Sequence, residues 1–190
     1  MNKIYVVGIG PGNIENMTFE AYDTLKKSDI IIGYKTYIEL IKDEFKDKEL
    51  ISSPMKKEVD RCKDVLELAK SGKVVSLISS GDAGVYGMAG IMLEVGGDQC
   101  EIIVIPGVTA CNAAAAVVGA PIMHDSVNIS LSDLLTDWEL IKKRVALASE
   151  GDFVIALYNP KSNGRITQLD EAREIMMKKK KKETVVAIVK

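Results

Sequence analysis

Residues 4–12 read IYVVGIGPG, an apolar run that breaks into a turn of glycine and proline. This order predicts a buried strand and a loop that leads into a helix. Glycine lets the backbone approach a bound molecule closely, and Pro11 stiffens the turn. The stretch therefore predicts the first strand and ligand loop of an α/β domain, although an ordinary strand–turn–helix corner has the same spacing. A nicotinamide oxidoreductase is disfavoured, because the dinucleotide fingerprint needs a third glycine where the chain has Asn13.

Length and composition are those of a globular protein with one large domain or two small ones. The chain has 190 residues, of which 47% are hydrophobic and 27% charged, and its formal net charge is −2. Nucleic-acid binders normally carry a basic surface, and no apolar run approaches the roughly 20 residues of a membrane span. The first residues lack the pattern of a signal peptide. We therefore expect a cytoplasmic protein that binds neither nucleic acid nor a membrane.

Cysteine and histidine, the usual ligands of zinc and of iron–sulfur clusters, are sparse. Cys62, Cys100 and Cys111 form no CxxC pair, and His124 is the single histidine. These spacings suggest neither a zinc nor an iron–sulfur site. We expect three reduced thiols and no bound metal.

The first 120 residues alternate strand and helix patterns, which favours a mainly parallel sheet. Strands are predicted over residues 4–7, 29–32, 50–53, 73–79 and 101–105. Helices are predicted over residues 18–27, 37–46, 58–71 and 109–118, with Thr18 as the first N-cap. A domain joint is predicted at residues 119–121, which gives domains 1–120 and 121–190. In the second domain we expect strands at 126–132, 152–158 and 184–189, and helices at 138–149 and 166–178.

Three glycine-containing turns follow three predicted strands, at residues 8–12, 80–84 and 106–110. Ligands of open α/β sheets bind outside the carboxyl ends of the strands, so these turns could converge on one pocket. Asp82 could bind a ribose hydroxyl, an amino group or a cationic ligand, or it could cap its own turn. Thr109 could cap the helix that follows it or face a ligand.

Further candidates for chemistry are one histidine and several cations. His124 follows the predicted joint and is a candidate proton carrier, with a hydrogen-bonded structural histidine as the alternative. Cations near turns and helix starts would suit a substrate with several carboxylates, and solvated surface charge is the alternative for each. These cations are Lys35, Arg61, Arg144, Lys161 and Arg165.

The motifs together resemble the tetrapyrrole (class III) S-adenosylmethionine-dependent methyltransferases. The matching stretches are GIGPG at 8–12, MTFEA at 17–21, GYKTY at 33–37, SSGDAGVYGM at 79–88, PGVTA at 106–110, GAP at 119–121, HD at 124–125, ISLSDLL at 129–135 and YNPKS at 158–162. Within this family, the chain is most similar to the branch that methylates C-17 of precorrin-3B or cobalt-factor III. The resemblance covers nearly the whole sequence.

The resemblance implies two α/β domains with a cleft that holds S-adenosylmethionine, in a homodimer. It also implies methylation of C-17 with ring contraction, in cobalamin biosynthesis. The implied cofactor-binding residues are Ile9, Gly81, Asp82, Val85, Tyr86, Thr109, Ala110, Tyr158 and Asn159. Substrate would meet Gly10, Pro11, Gly12, Lys35, Lys161 and Arg165, and His124 would assist proton movement.

The chain departs from the family pattern at two positions and in length. Asp137 stands where the family has proline, and Ser126 where it has an aromatic residue. The family usually continues for several strands beyond residue 190, so we expect a shortened second domain. Two alternatives therefore stay open: another corrin-precursor methyltransferase, or a non-catalytic protein that binds a tetrapyrrole or nucleotide. Whether the substrate carries cobalt, and whether ring contraction is catalysed, also stay open.

Overall fold

The computed structural model describes residues 2–54 and 57–189. The chain divides into two compact units, Met1–Ala113 and Ala114–Lys190. The domain boundary at residue 120 stays a prediction. Strands of the first unit are β1 (Lys3–Gly8), β2 (Ile30–Tyr34), β3 (Glu49–Ser53), β4 (Val75–Ser79) and β5 (Glu101–Ile105). Its helices are α1 (Phe19–Lys27), α2 (Lys35–Ile41), α3 (Glu58–Lys70) and α4 (Ala89–Gly96), and α5 (Ala110–Val117) crosses into the second unit. The second unit contains β6 (Ser126–Ser130), α6 (Trp138–Glu150), β7 (Val154–Tyr158) and α7 (Gln168–Met176).

The first unit is built on a five-stranded parallel sheet with the order β3-β2-β4-β1-β5. This sheet confirms the predicted α/β class. Strand β1 lies between β4 and β5, with Gly8 opposite Ser79 and Val7 opposite Ile105. Because the three strands end at the same level, their turns leave the sheet side by side.

Apolar residues cover both faces of this sheet, as expected for parallel strands that are buried on two sides. Ile4 and Val6 of β1 belong to a core with α3 and α4. Val7 belongs to a second core, on the opposite face, with α1 and α2. The alternation follows from the two-residue repeat of a strand. Helix α1 begins as predicted, since the Thr18 hydroxyl accepts a hydrogen bond from the Ala21 amide at 3.1 Å.

The second unit holds two parallel strands, with Ser126 opposite Val154 and Ser130 opposite Tyr158. Helices α6 and α7 pack with them around a separate core, whose buried members are Ile129, Leu131, Ile141, Val145, Ala148 and Ala172. Asp137 starts α6, because its Oδ1 accepts hydrogen bonds from the amides of Glu139 at 2.9 Å and Leu140 at 3.4 Å. Aspartate at this position is therefore a good helix cap.

Some predicted elements differ from the structure. Residues 184–189 have the apolar, β-branched composition of a strand but form none, and the Ile188 side chain is 94% exposed. Such a segment becomes a strand only when a neighbouring strand pairs with its backbone, and the described residues supply no such neighbour here. Helix α2 stops at Ile41 instead of residue 46, because the chain turns and buries Phe45. Helix α4 was not predicted, since glycines flank it and its apolar residues show no single face.

No described helix combines the length and the apolar character needed to cross a membrane. Within residues 2–54 and 57–189, no group of three or more His, Cys, Asp or Glu side chains is placed to hold a metal ion.

Three glycines at the ends of β1, β4 and β5 pack backbone against backbone. A Cβ atom on Gly107 would lie 2.3 Å from the Gly81 carbonyl oxygen and 2.6 Å from that of Gly8. A Cβ on Gly8 would lie 2.8 Å from the Gly107 amide nitrogen. These separations are too short for any side chain, so the turns can meet only where glycine occupies both positions.

We expect Gly107→Ala to lower the free energy of unfolding by about 3 kcal/mol, because the backbone must shift to admit a methyl group. Urea denaturation monitored by circular dichroism measures this change. Gly90→Ala is the matched control, since a Cβ there meets nothing within 4 Å and the residue lies in α4. The control should stay within about 1 kcal/mol of wild type. Equal stability of the two variants would contradict the packing argument.

Burial raises the pKa of the Cys62 thiol to about 11, and nearby Arg61 lowers it by a smaller amount. At pH 8, a pKa of 11 leaves about 0.1% of the thiol as the reactive thiolate. We therefore expect Cys62 to resist alkylation in the native chain and to react fully in urea. Peptide mapping by mass spectrometry measures both states. Rapid labelling of native Cys62 at pH 8 would show that α3 opens readily.

Candidate functional site

The three glycine turns of the first unit meet at the carboxyl ends of β1, β4 and β5, as the sequence predicted. The Gly10 amide donates to the Gly81 carbonyl at 3.0 Å, and the Gly81 amide returns a bond to the Gly10 carbonyl at 2.7 Å. The Thr18 hydroxyl donates to the Pro106 carbonyl at 3.2 Å. These bonds join the first turn to the second, and the start of α1 to the third.

Asp82 links the second turn to the third. Its Oδ1 accepts a hydrogen bond from the Gly84 amide at 2.8 Å, which is the predicted cap of its own turn. Its Oδ2 accepts a bond from the Gly107 amide at 2.9 Å, 25 residues away in the chain. A carboxylate has about four acceptor sites, so Asp82 keeps capacity to accept further bonds at this half-buried position. Its contact with a ligand stays a prediction.

Backbone conformation at the turns is uncommon for L-residues. Gly10, Gly12 and Gly81 have φ values of +71°, +120° and +66°. Tyr86 also has a positive φ, +53°, and its side chain is 53% exposed. A bulky residue in the left-handed region is strained, and such strain concentrates at functional sites. The conformation holds the Tyr86 ring outward, beside the turn that contains Asp82.

Other predicted residues of the first unit contribute in different ways. Ile9 is buried in the core shared with α1 and α2, so it offers a ligand its backbone rather than its side chain. Pro11 and Lys35 are exposed, and Val85 is half-buried. The third turn runs into α5, whose first residue, Ala110, is exposed and preceded by Thr109. A Cβ on Gly81 would lie 3.5 Å from the Ala110 amide nitrogen, so the second turn reaches the start of α5.

In the second unit, Tyr158 and Asn159 lie where β7 ends. The Leu131 amide donates to the Tyr158 carbonyl at 2.9 Å. The side-chain amide of Asn159 donates to the Ser130 hydroxyl at 3.0 Å. Asn159 has a φ of +51°. Hydrogen bonds thus join the turn after β7 to the end of β6.

Arg165 does not take the place expected of a substrate-binding cation. Its side chain is only 7% exposed, and it donates to the Asn159 carbonyl at 3.0 Å and the Ser132 hydroxyl at 2.8 Å. Its Nε lies 3.6 Å from Asp133 Oδ1. The guanidinium therefore binds the protein's own turns, whereas Lys161, in the same segment, is exposed.

Arg61 is also buried, and its guanidinium donates to the Ser53 hydroxyl and to the Pro54 carbonyl at 3.0 Å. Arg61 therefore binds the end of β3, just as Arg165 binds the turns of the second unit. The sequence does not distinguish a buried arginine from an exposed one, because both are single charges near a turn.

His124 lies at the opposite end of the second unit's sheet from Asn159. It is exposed just before β6, and the carbonyl of its neighbour Asp125 accepts a bond from the Val154 amide at 3.0 Å. A hydrogen bond and charge from Lys180 lower the pKa of nearby Asp152, and His124 adds a smaller effect. A five-residue strand spans about 13 Å, so His124 is too far from Asn159 for the two side chains to touch within this unit. The catalytic role of His124 stays a prediction.

Known proteins are similar in sequence to the chain over most of its length. A protein of Priestia megaterium named cobalt-factor III methyltransferase is 48% identical to the chain. The match covers 99% of the chain, and the chain spans only 36% of the length of that protein. A probable cobalt-factor III C(17)-methyltransferase of Salmonella typhimurium is 50% identical over 97% of the chain and 78% of its own length.

Among solved structures, the methyltransferase CobJ superposes with a TM-score of 0.88 at 36% identity, covering 95% of the chain and 77% of CobJ. The cobalt precorrin-4 methyltransferase CbiF, at 20% identity and a TM-score of 0.72, shares the fold. The family described as Tetrapyrrole (Corrin/Porphyrin) Methylases matches residues 3–190. With a match of that extent and relatives near 50% identity, the chain belongs to the tetrapyrrole methylases.

Proposed function

We propose that the chain methylates C-17 of precorrin-3B or cobalt-factor III with S-adenosylmethionine, with contraction of the ring, in cobalamin biosynthesis. The observation that carries the proposal is 48–50% identity, over nearly the whole chain, to proteins named for the cobalt-factor III reaction. A precorrin-3B C(17)-methyltransferase of a Sinorhizobium species is 40% identical over 91% of the chain. Both substrates, with and without cobalt, therefore belong to the proposal.

Residues at the glycine turns fit S-adenosylmethionine. The first unit offers close-packed backbone at Ile9 and Gly81, with the start of α5 at Ala110 beside it. The carboxylate of Asp82 suits a cationic sulfonium or a ribose hydroxyl, and the outward Tyr86 ring suits a flat or cationic group. In the second unit, the strained backbone at Asn159 offers further polar groups. Val85, Thr109 and Tyr158 complete the proposed cofactor set.

When bound, S-adenosylmethionine supplies a methyl group that its cationic sulfur already activates. The protein's task is then to hold the methyl donor and the ring carbon in line and to keep water out. Fixed turns serve that task better than mobile ones, because less conformational entropy is lost on binding.

Substrate recognition is proposed for the outer side of the first turn and for exposed cations. Gly10, Pro11 and Gly12 form the proposed substrate side of this turn; Pro11 is exposed, Gly12 is half-buried and Gly10 is buried. Lys35 and Lys161 are exposed and could pair with the acetate and propionate groups of the substrate. His124 would carry a proton during ring contraction.

We also propose that the chain forms a homodimer and works in the cytoplasm. Sedimentation of the purified chain tests the dimer.

Titration with S-adenosylhomocysteine, followed by calorimetry, tests the cofactor part of the proposal. We expect stoichiometric binding that weakens at least tenfold in Asp82→Ala, because two backbone hydrogen bonds that hold the turns are lost. Asp64→Ala removes an exposed carboxylate from α3 and is the matched control for charge. An affinity in Asp82→Ala equal to that of Asp64→Ala would remove Asp82 from the site.

Turnover tests the reaction. We expect radiolabelled methyl transfer to cobalt-factor III or precorrin-3B, and slower ring contraction in His124→Ala because the proton carrier is missing. Mass spectrometry and the absorption spectrum of the macrocycle separate methylation from contraction. Methylation and contraction at wild-type rates in His124→Ala would exclude His124 from the mechanism. Binding of S-adenosylhomocysteine without transfer to either substrate would favour another corrin precursor or a non-catalytic binding role.

A further inference from the structure

We infer that Arg165 is a positioning residue that locks the turn after β7 in the conformation needed to bind cofactor. This inference rests on the proposed function and refines it. It replaces a role in binding substrate carboxylates, which the burial of the guanidinium does not favour.

The guanidinium joins two turns that leave the same end of the second unit's sheet. One Nη donates to the Asn159 carbonyl, after β7, and the other donates to the Ser132 hydroxyl, after β6. The Asp133 carboxylate lies 3.6 Å from Nε and balances the charge, and its other oxygen accepts a bond from the Gln168 side chain at 3.0 Å. One side chain thus contacts both turns, and Asp133 connects it to the start of α7.

Asn159 needs such support because its backbone is strained. A φ of +51° is uncommon for a residue with a side chain, although asparagine tolerates it better than most. The Asn159 side chain bonds to Ser130, and its carbonyl accepts from Arg165. The residue is therefore held on both its side chain and its backbone, and its remaining polar groups have a fixed direction.

Arginine suits this position for a geometric reason. Its planar fork donates in several fixed directions at once, whereas lysine carries a point charge on a flexible stem. The carbonyl and the hydroxyl lie on different nitrogens of the fork, so a lysine can satisfy one of them while the other loses its donor. Arg165→Lys should therefore keep the charge pair with Asp133 and lose part of the positioning.

The experiment compares the whole chain with Arg165→Lys, Arg165→Gln and the control Arg173→Gln, which removes an exposed arginine from α7. Hydrogen–deuterium exchange is measured for peptides that cover residues 129–133 and 156–162, and calorimetry gives the affinity for S-adenosylhomocysteine. Peptides from α6 and from β4 report general loosening of each unit. All measurements are made well below the melting temperature of the least stable variant.

We expect Arg165→Gln to speed exchange in both turns at least tenfold and to weaken S-adenosylhomocysteine binding at least tenfold, with β4 unchanged. Arg165→Lys should fall between wild type and Arg165→Gln, and it keeps the test usable if Arg165→Gln does not fold. Arg173→Gln should match wild type in both measurements.

Two results would overturn the inference. Wild-type exchange in the turns of Arg165→Gln would show that Arg165 does not hold them. Faster exchange with unchanged S-adenosylhomocysteine affinity would show that the turn is held for another purpose. If the wild-type chain binds no S-adenosylhomocysteine, the proposed function fails, and the exchange data still decide whether Arg165 anchors the turn.

Discussion

The close approach of three glycine backbones is the constraint on which the first unit depends. Gly8, Gly81 and Gly107 end or follow adjacent parallel strands. No side chain fits at Gly8 or Gly107, and Gly81 has a φ of +66°. Because β1 lies between β4 and β5 with their ends level, the strand register already brings the turns together. The Asp82 carboxylate then fixes the third turn to the second. The same group of turns is therefore fixed by the order of the strands, by the glycines and by the Asp82 carboxylate.

The second unit reaches a similar result by different means. Here side chains join the turns: Arg165 donates to both, while Asn159 bonds back to Ser130. Glycine packing sets backbone positions through steric exclusion, whereas a buried arginine sets them through directed hydrogen bonds whose strength depends on low exposure. Such a charge is tolerated because Asp133 lies beside it.

The sequence predicted much of the fold, because the apolar strands and helix caps are local signals. The four-residue run at 4–7 and the cap at Thr18 needed no knowledge of distant residues. Contacts between residues far apart in the sequence were harder to predict. The bond of Asp82 to Gly84 follows from the turn itself, but its bond to Gly107 depends on the order of the strands. The exposure of Arg165 depends on packing, so its charge alone suggested a surface role. Residues 184–189 show that a strand pattern needs a partner strand to become one.

The glycine contact also limits how this scaffold can be adapted to new ligands. The backbones of the three turns pack against one another. A loop grafted from a homologue would therefore have to be transferred together with the other two loops. Variation without such rebuilding is confined to side chains that point outward from the turns, such as Pro11, Tyr86 and Ala110. Directed libraries at those three positions would change what the turns present while leaving the backbone contact that supports them intact.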